Sequence, residues 1–223
     1  DLYQSLKRQS YKNWEWVLLV NGALLKSGKK PSFDDPRVKV HTLELDLGRV
    51  GALKYWASKL AKGNILAEVD HDDILTEDCL EEVSRAFDEH PEVCFVYSNS
   101  VHVDGNMNAA RQYSEYFGWS YRPFVYEGRL LSEFVSPPPL PHHLSRIWFA
   151  PNHIRCWRTE DYWKIGGHDQ SMTIADDHEL LCRTYLHGRM HHIDKPLYIY
   201  RIHGENTWLK NSADIQTVMW GNY

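Results

Sequence analysis

Along the first hundred residues, the spacing of apolar positions switches repeatedly between the helical period and the strand period. Leu2, Leu6 and Gln9 lie along one helical face of residues 1–10, with no cap before them. Trp14 to Val20 (WEWVLLV) is a mostly apolar run and predicts a central strand. Asn21-Gly22 ends it, and the polar stretch to Pro36 reads as loop. Val38 to Leu45 (VKVHTLEL) alternates as a half-exposed strand does. Gly48 and Gly51 open a helix running to about Ala61, with Leu53, Trp56, Ala57 and Leu60 on its apolar face and Gly63 as its C′ glycine. A strand over 65–69 follows, then a helix capped by Thr76 whose buried stripe is Cys79, Leu80, Val83, Ala86 and Phe87. Val93 to Tyr97 (VCFVY) is the next strand.

This alternation predicts an α/β fold: a mostly parallel sheet with helices on both faces. Such folds usually open with a strand, so the helical start carries the expectation that a first strand is missing. Residues 105–150 break the pattern. They are aromatic, irregular and proline-bearing (SPPPLP, Ser136 to Pro141), which predicts a surface excursion with a short helix near Gly128 to Phe134. Long excursions are lids or binding loops in some domains and purely structural in others. Order returns with a helix over Thr159 to Ile165 ended by Gly166-Gly167, and a second over Asp176 to His187 ended by Gly188. Met190 to Ile193 and Leu197 to Arg201 read as strands, and residues near Ala213 to Trp220 as a helix.

Composition narrows the function classes. With 223 residues the chain can bury one sizeable core, read here as a single domain over 1–223. Its net charge of -5 excludes a broad nucleic-acid or anionic-membrane footprint. No apolar run reaches bilayer length, so no transmembrane segment is expected and only peripheral membrane contact stays open. Cys79, Cys94, Cys156 and Cys182 lie far apart without a CxxC, the pattern of reduced thiols in a cytoplasmic protein. The 9 Trp, 13 Tyr and 7 Phe suit sugar rings as platforms and suit a core equally well, so they decide nothing alone.

The chemistry concentrates in Asn64 to Leu75 (NILAEVDHDDIL). A buried strand ends there in Asp70, Asp72 and Asp73, at the carboxyl end where α/β sheets bind ligands. Asp70 and Asp72 are two apart, so a tight turn can aim both at one Mg²⁺ or Mn²⁺; the plain alternative is a polar loop with one Asp capping the next helix. Asp176-Asp177-His178-Glu179 opens another helix, where one Asp is the expected cap and the second is a candidate general base. Arg201 and His203 leave a late strand, with phosphate or metal as partners, or only solvent. Lys54, beside Arg49, Lys59 and Lys62, reads as part of a solvated basic face. His142-His143 and His191-His192 read as surface histidines. There is no GxSxG and no glycine-rich phosphate loop.

Taken together and in order, these stretches resemble the family-2 glycosyltransferases, which have the GT-A fold. Gln9-Ser10-Tyr11-Lys12-Asn13-Trp14-Glu15 is similar to the family's Q-T-Y-x-x-W-E stretch. Gly48 to Gly63 resembles its glycine-led helix, whose Arg-Asn pair falls on Lys54-Tyr55. Asp70-His71-Asp72-Asp73 resembles its DxD motif. Gly166-Gly167-His168-Asp169, Asp176-Asp177 and Tyr200-Arg201-Ile202-His203 resemble its GG-F-D, E-D and Y-R-x-H series. The resemblance implies an inverting, metal-dependent transfer of sugar from a nucleotide sugar, a UDP-sugar favoured, to a hydroxyl of a glycan or glycoconjugate. It implies that Asp70, Asp72 and His203 hold Mn²⁺ or Mg²⁺ against the diphosphate. It implies that Asp177 is the base, with Asp176 next in line, and that Asn21, Lys54, Asp70 and Arg201 contact the nucleotide side. Residues 1–104 would form the nucleotide-sugar half and 105–223 the acceptor-side half, with 113–126 and the proline loop toward the acceptor.

The chain departs from the family's pattern where D-D-G-S is expected and Val20-Asn21-Gly22-Ala23 stands, and where Asp176 replaces the Glu of E-D. A non-catalytic carbohydrate- or nucleotide-binding module on the same fold is the alternative. A nucleotidyltransferase of similar topology would need a glycine-rich phosphate loop and a Lys near its first strand, and neither is visible.

Overall fold

The structure is a computed structural model and describes all residues except 23–27, 29, 44–46, 111, 112, 114, 118, 148, 205, 222 and 223. In chain order the elements are α1 (Leu2–Arg8), β1 (Trp16–Val20), β2 (Val38–Thr42), α2 (Val50–Leu60), β3 (Ile65–Glu68), β4 (Ile74–Leu75) and α3 (Cys79–Glu89). There follow β5 (Val93–Val103), β6 (Tyr121–Tyr126), β7 (Arg129–Phe134), α4 (Pro141–Leu144), β8 (Arg155–Arg158), α5 (Thr159–Lys164), α6 (Asp176–His187), β9 (Arg189–Arg201) and α7 (Thr207–Gly221). The strand expected over Val38 to Leu45 ends at Thr42, and residues 44 and 45 lie outside the described residues.

β5 is the spine of a seven-stranded sheet ordered β3-β8-β5-β7-β6, with β9 along β5 and β4 along β9. All eleven β5 residues are buried. Its pleat sends Phe95 and Tyr97 into one apolar cluster and Val96 into the other, so both faces are covered. Leu2 and Leu6 of α1 and Cys79, Val83, Ala86 and Phe87 of α3 fill the face of Val96; Tyr162 of α5 and Leu180 and Leu181 of α6 fill the face of Phe95 and Tyr97.

The α/β class with helices on both faces stands, but the sheet is mixed. Among the described residues β1·β2 and β5·β9 pair parallel, whereas β3·β8, β4·β9, β5·β7, β5·β8 and β6·β7 pair antiparallel. The antiparallel strands enter from the second half of the chain, where the helix–strand alternation had already lapsed. The helix expected near Gly128 to Phe134 is instead strand β7, hairpinned to β6 through Glu127 and Gly128, both at positive φ (47° and 75°). Two such residues make the two-residue turn that matches strand twist. Pro123 is tolerated because, among the described residues, β6 pairs with β7 alone.

Two strands run further than their apolar patterns. β5 continues through Ser98, Asn99, Ser100 and His102 because these buried polar groups find partners. The Asn99 side-chain amide donates to Glu133 at 2.6 Å and Asp194 at 2.9 Å, and its oxygen accepts the Ser136 N–H at 2.9 Å. β9 absorbs Asp194 and Lys195 in a register shift, so the two expected strands are one.

The expected caps are also replaced. Thr76 bonds Asp78, while the buried Gln9 side chain accepts the Leu80 N–H of α3 at 3.0 Å and donates to the Thr76 carbonyl at 2.6 Å. Past the end of α2, the Glu15 carboxylate accepts the N–H groups of Lys62 (2.5 Å) and Gly63 (3.1 Å). At Gly51 on α2, an added Cβ would fall 2.0 Å from the Asp169 carbonyl oxygen, and the Gly51 N–H donates to Met172 O at 3.1 Å. Only glycine lets α2 lie this close to the 169–172 loop.

Candidate functional site

The loop between β3 and β4 gives each of its three aspartates a different partner. Asp73 is buried; its carboxylate accepts from the Tyr198 hydroxyl at 2.7 Å and from the Arg201 N–H at 2.8 Å. Burial, followed by the nearby Asp70 charge, pushes it up to about 8 despite those bonds. The Tyr198 hydroxyl also accepts the Asp70 N–H at 3.0 Å, so one β9 side chain ties down both residues. Asp72 Oδ2 lies 2.7 Å from His203 Nε2, which unites two of the three metal ligands that the resemblance implies. The third, Asp70, turns toward His153, whose Nε2 is 4.0 Å from Asp70 Oδ2.

Behind this loop lies an ion-pair network. Lys54 is not on a solvated face: its Nζ contacts Glu68 Oε1 at 2.5 Å and Asp176 Oδ2 at 3.1 Å. Burial favours neutral Lys54, but Glu68 and Asp176 outweigh it and hold the amine well above its ordinary value. Burial likewise favours neutral Glu68, and Lys54 outweighs it to hold the carboxyl well below the usual range. His168 donates to or accepts from Tyr162 Oη through Nδ1 at 2.8 Å, with its Nε2 3.6 Å from Asp176. Burial pushes His168 down to about 4, so at neutral pH it is uncharged.

Helix α6 begins without an Asp cap. Its N-cap is Ala175, held in the left-handed region at φ 54° and ψ 23°. A non-glycine residue there is strained, and such strain collects at functional sites. The consequence is that both following carboxylates are available for other contacts. Asp177 Oδ2 accepts from Arg155 Nη1 at 2.6 Å, and Oδ1 accepts the His178 N–H at 2.8 Å. Burial opposes its charge, but Arg155 and then Lys54 hold Asp177 below the usual carboxylate range. Asp176 is pushed up to about 6, chiefly by burial against the pull of Lys54.

The structure thus brings Lys54, Glu68 and Asp176 together, and Asp72 with His203. Asn21 is half-buried just past the end of β1. Arg201 donates from its guanidinium to Asp1 at 2.5 Å, and its Nε is buried with no hydrogen-bond partner. His191 and His192, expected at the surface, are both half-buried; His192 Nε2 sits 2.7 Å from Asn99 Oδ1. Sequence reasoning missed Glu68, His153 and Arg155, and placed His168 in a motif without giving it a role in the site. The available signal was a carboxylate inside an apolar strand (ILAEV), which must be paired to be buried. In the expected excursion, Tyr113 stacks on Phe149 with ring centroids 4.8 Å apart, and Trp119 packs beside it at 4.9 Å.

The Glycosyl transferase family 2 model matches residues 1–142. Protein y4gI of Sinorhizobium fredii is 24% identical over 90% of this chain, and the chondroitin synthase of Pasteurella multocida 25% identical over 80%. The chain spans 20% and 16% of the lengths of those two relatives. Among solved structures, S. aureus TarS 1–349 superposes with a TM-score of 0.65 at 19% identity, covering 99% of this chain and 60% of TarS. The same TarS fragment in complex with UDP-GlcNAc superposes at 0.64 with 18% identity, covering 92% of this chain and 55% of that one. The TarS likeness shows a shared fold, and the match over 1–142 covers more than half of the 223 residues: the chain belongs to glycosyl transferase family 2.

Proposed function

We propose that this chain is the nucleotide-sugar-using domain of a glycosyltransferase. It moves a sugar, with inversion, from a UDP-sugar to a hydroxyl of a glycan or glycoconjugate. The supporting observation is one network of charges that links the carboxylate loop to the start of α6: Glu68 to Lys54 to Asp176, with Asp177 beside them on Arg155. The names of the relatives point the same way, a chondroitin synthase and a TarS structure holding UDP-GlcNAc.

The donor set fits a divalent cation. Asp72 and His203 pair one carboxylate with one imidazole, and Asp70 leaves the same loop, a combination that suits Mn²⁺ or Mg²⁺ with open positions for phosphate oxygens. Bound there, the ion would neutralise charge on the departing diphosphate. Asp177 takes the proton from the acceptor hydroxyl as that oxygen bonds to the sugar C1 and the C1–diphosphate bond breaks on the opposite face. Arg155 keeps Asp177 ionised and oriented for this. Asp177 suits the role better than Asp176, since its side chain is 21% exposed against 6%, and Asp176 is committed to Lys54. Asn21 and Arg201 serve the nucleotide side. Residues 1–104 form the donor half and 105–223 the acceptor half; the base and His203 come from the latter, so both halves build the site. Four free cysteines agree with a cytoplasmic location, and no helix among the described residues is long and apolar enough to cross a membrane.

Calorimetric titration of UDP, then GDP, each with and without Mn²⁺, tests the donor assignment. Tight UDP binding only with the metal is expected. Transfer assays with the product anomer read by NMR then test inversion. UDP binding with no transfer to any glycan acceptor would leave the non-catalytic module.

A further inference from the structure

His153 presents an unusual arrangement. Its side chain is only 8% exposed, and neither ring nitrogen has a hydrogen-bond partner. The ring is stacked on Tyr198, centroids 4.9 Å apart at 22°, which aims Nε2 at two carboxylates. Nε2 lies 3.8 Å from Glu68 Oε1 and 4.0 Å from Asp70 Oδ2. Both separations are too long for a hydrogen bond. Both are what two ligands of one ion show, since bonds of about 2.0–2.2 Å keep two ligand atoms within about 4.4 Å of each other.

Glu68 adds a second sign. Lys54 occupies its Oε1, but Oε2 is buried with no hydrogen-bond partner. Among the described residues, Glu68, Asp70 and His153 are the group whose ligand atoms all lie within 4.8 Å of one another. Around them, the carboxylates of Glu68, Asp70, Asp176 and Asp177 face, among the described residues, Lys54 and Arg155 as fixed cations. The carboxylate surplus is two charges, which one divalent ion balances. Asp70 is 41% exposed on its side chain and gives the ion a way in.

We infer that Glu68, Asp70 and His153 form a divalent-cation site distinct from the Asp72–His203 pair, with Asp70 the one residue between the two. One imidazole and two carboxylates suit Zn²⁺ or Mn²⁺. The ion would fix the Asp70 carboxylate from behind. All three ligands are protein side chains, so the site does not rest on the transfer reaction proposed above.

Zn²⁺ titrated calorimetrically into chelator-stripped, nucleotide-free protein tests it. His203→Ala, which lacks the Asp72–His203 pair, is expected to bind one equivalent with an affinity within about threefold of the tightest site of the wild type. His153→Gln and Glu68→Gln are expected to bind at least about tenfold more weakly. Because those two substitutions sit in the core, Mn²⁺ bound to His203→Ala is also read by pulsed EPR, where coupling to one imidazole nitrogen is expected. Loss of tight binding in His203→Ala, absence of that nitrogen coupling, or no stoichiometric binding to wild type would each overturn the site.

Discussion

Arg155 and Asp177 form an ion pair, Nη1 to Oδ2 at 2.6 Å, in which the arginine is fully buried and the aspartate keeps one edge in solvent. Removing one partner of such a pair strands the other charge. Arg155→Met is therefore expected to destabilise the fold by about 3–5 kcal/mol in urea melts. Asp177→Asn keeps a hydrogen-bond acceptor for Arg155 and costs less. In that variant UDP-sugar affinity should stay within about twofold, while transfer falls by about 10²–10⁴, the usual worth of a general base. Full transfer would remove Asp177 from the role.

Asp72 and His203 face each other across the site at 2.7 Å. Asp72→Ala and His203→Ala are each expected to weaken Mn²⁺-dependent UDP binding by about tenfold or more. UDP binding measured without metal should not change. Unaltered affinity in the presence of Mn²⁺ would take the metal away from this pair.

Gly51→Ala places a methyl group 2.0 Å from a backbone oxygen that cannot swing aside. A cost above about 2 kcal/mol is expected, in the range of overpacked cores. Since Lys54 lies one turn along the same helix, the displacement should also loosen its pairs with Glu68 and Asp176. Urea melts read the first effect, and lost transfer at saturating donor reads the second.

His102 is buried among Phe134, Tyr113 and Tyr200, with Ser100 and Asn152 as its polar neighbours. Burial pushes it down from 6.5 to about 4. The unfolded chain binds this proton near 6.5, so His102 favours folding fully above that pH and progressively less as the pH falls toward 4. The loss is up to about 3 kcal/mol. His102→Gln should flatten stability between pH 6.5 and 4; an equally steep profile would assign the acid sensitivity to other groups.

The first hundred residues were legible because each element there is short and periodic: the α3 stripe and the β3 run land where their spacing puts them. Legibility failed where polar groups are buried in networks. Ser98 to His102 look like a loop until Glu133, Asp194 and Asn152 are beside them. The β6–β7 hairpin was hidden by Pro123, by a Glu-Gly turn in place of Asn-Gly, and by an aromatic sequence with no clean alternation. In the site, the DxD loop and the Asp pair could be picked out as carboxylates at element ends. Lys54 could not be told from a solvated lysine, because its partners Glu68 and Asp176 are 14 and 122 positions away in the chain.

The β6 strand also sets the character of the sheet's rim. It ends the order of the seven-stranded sheet, and among the described residues no strand pairs with its outer side. The cross-strand pair Val125 and Leu130 is 66% and 71% exposed, so an apolar patch lies next to that edge. Pro123 withholds one backbone donor, and Arg122, paired with Asp194, sets a charge beside it. A proline and a charge at such a rim both disfavour the addition of a further strand.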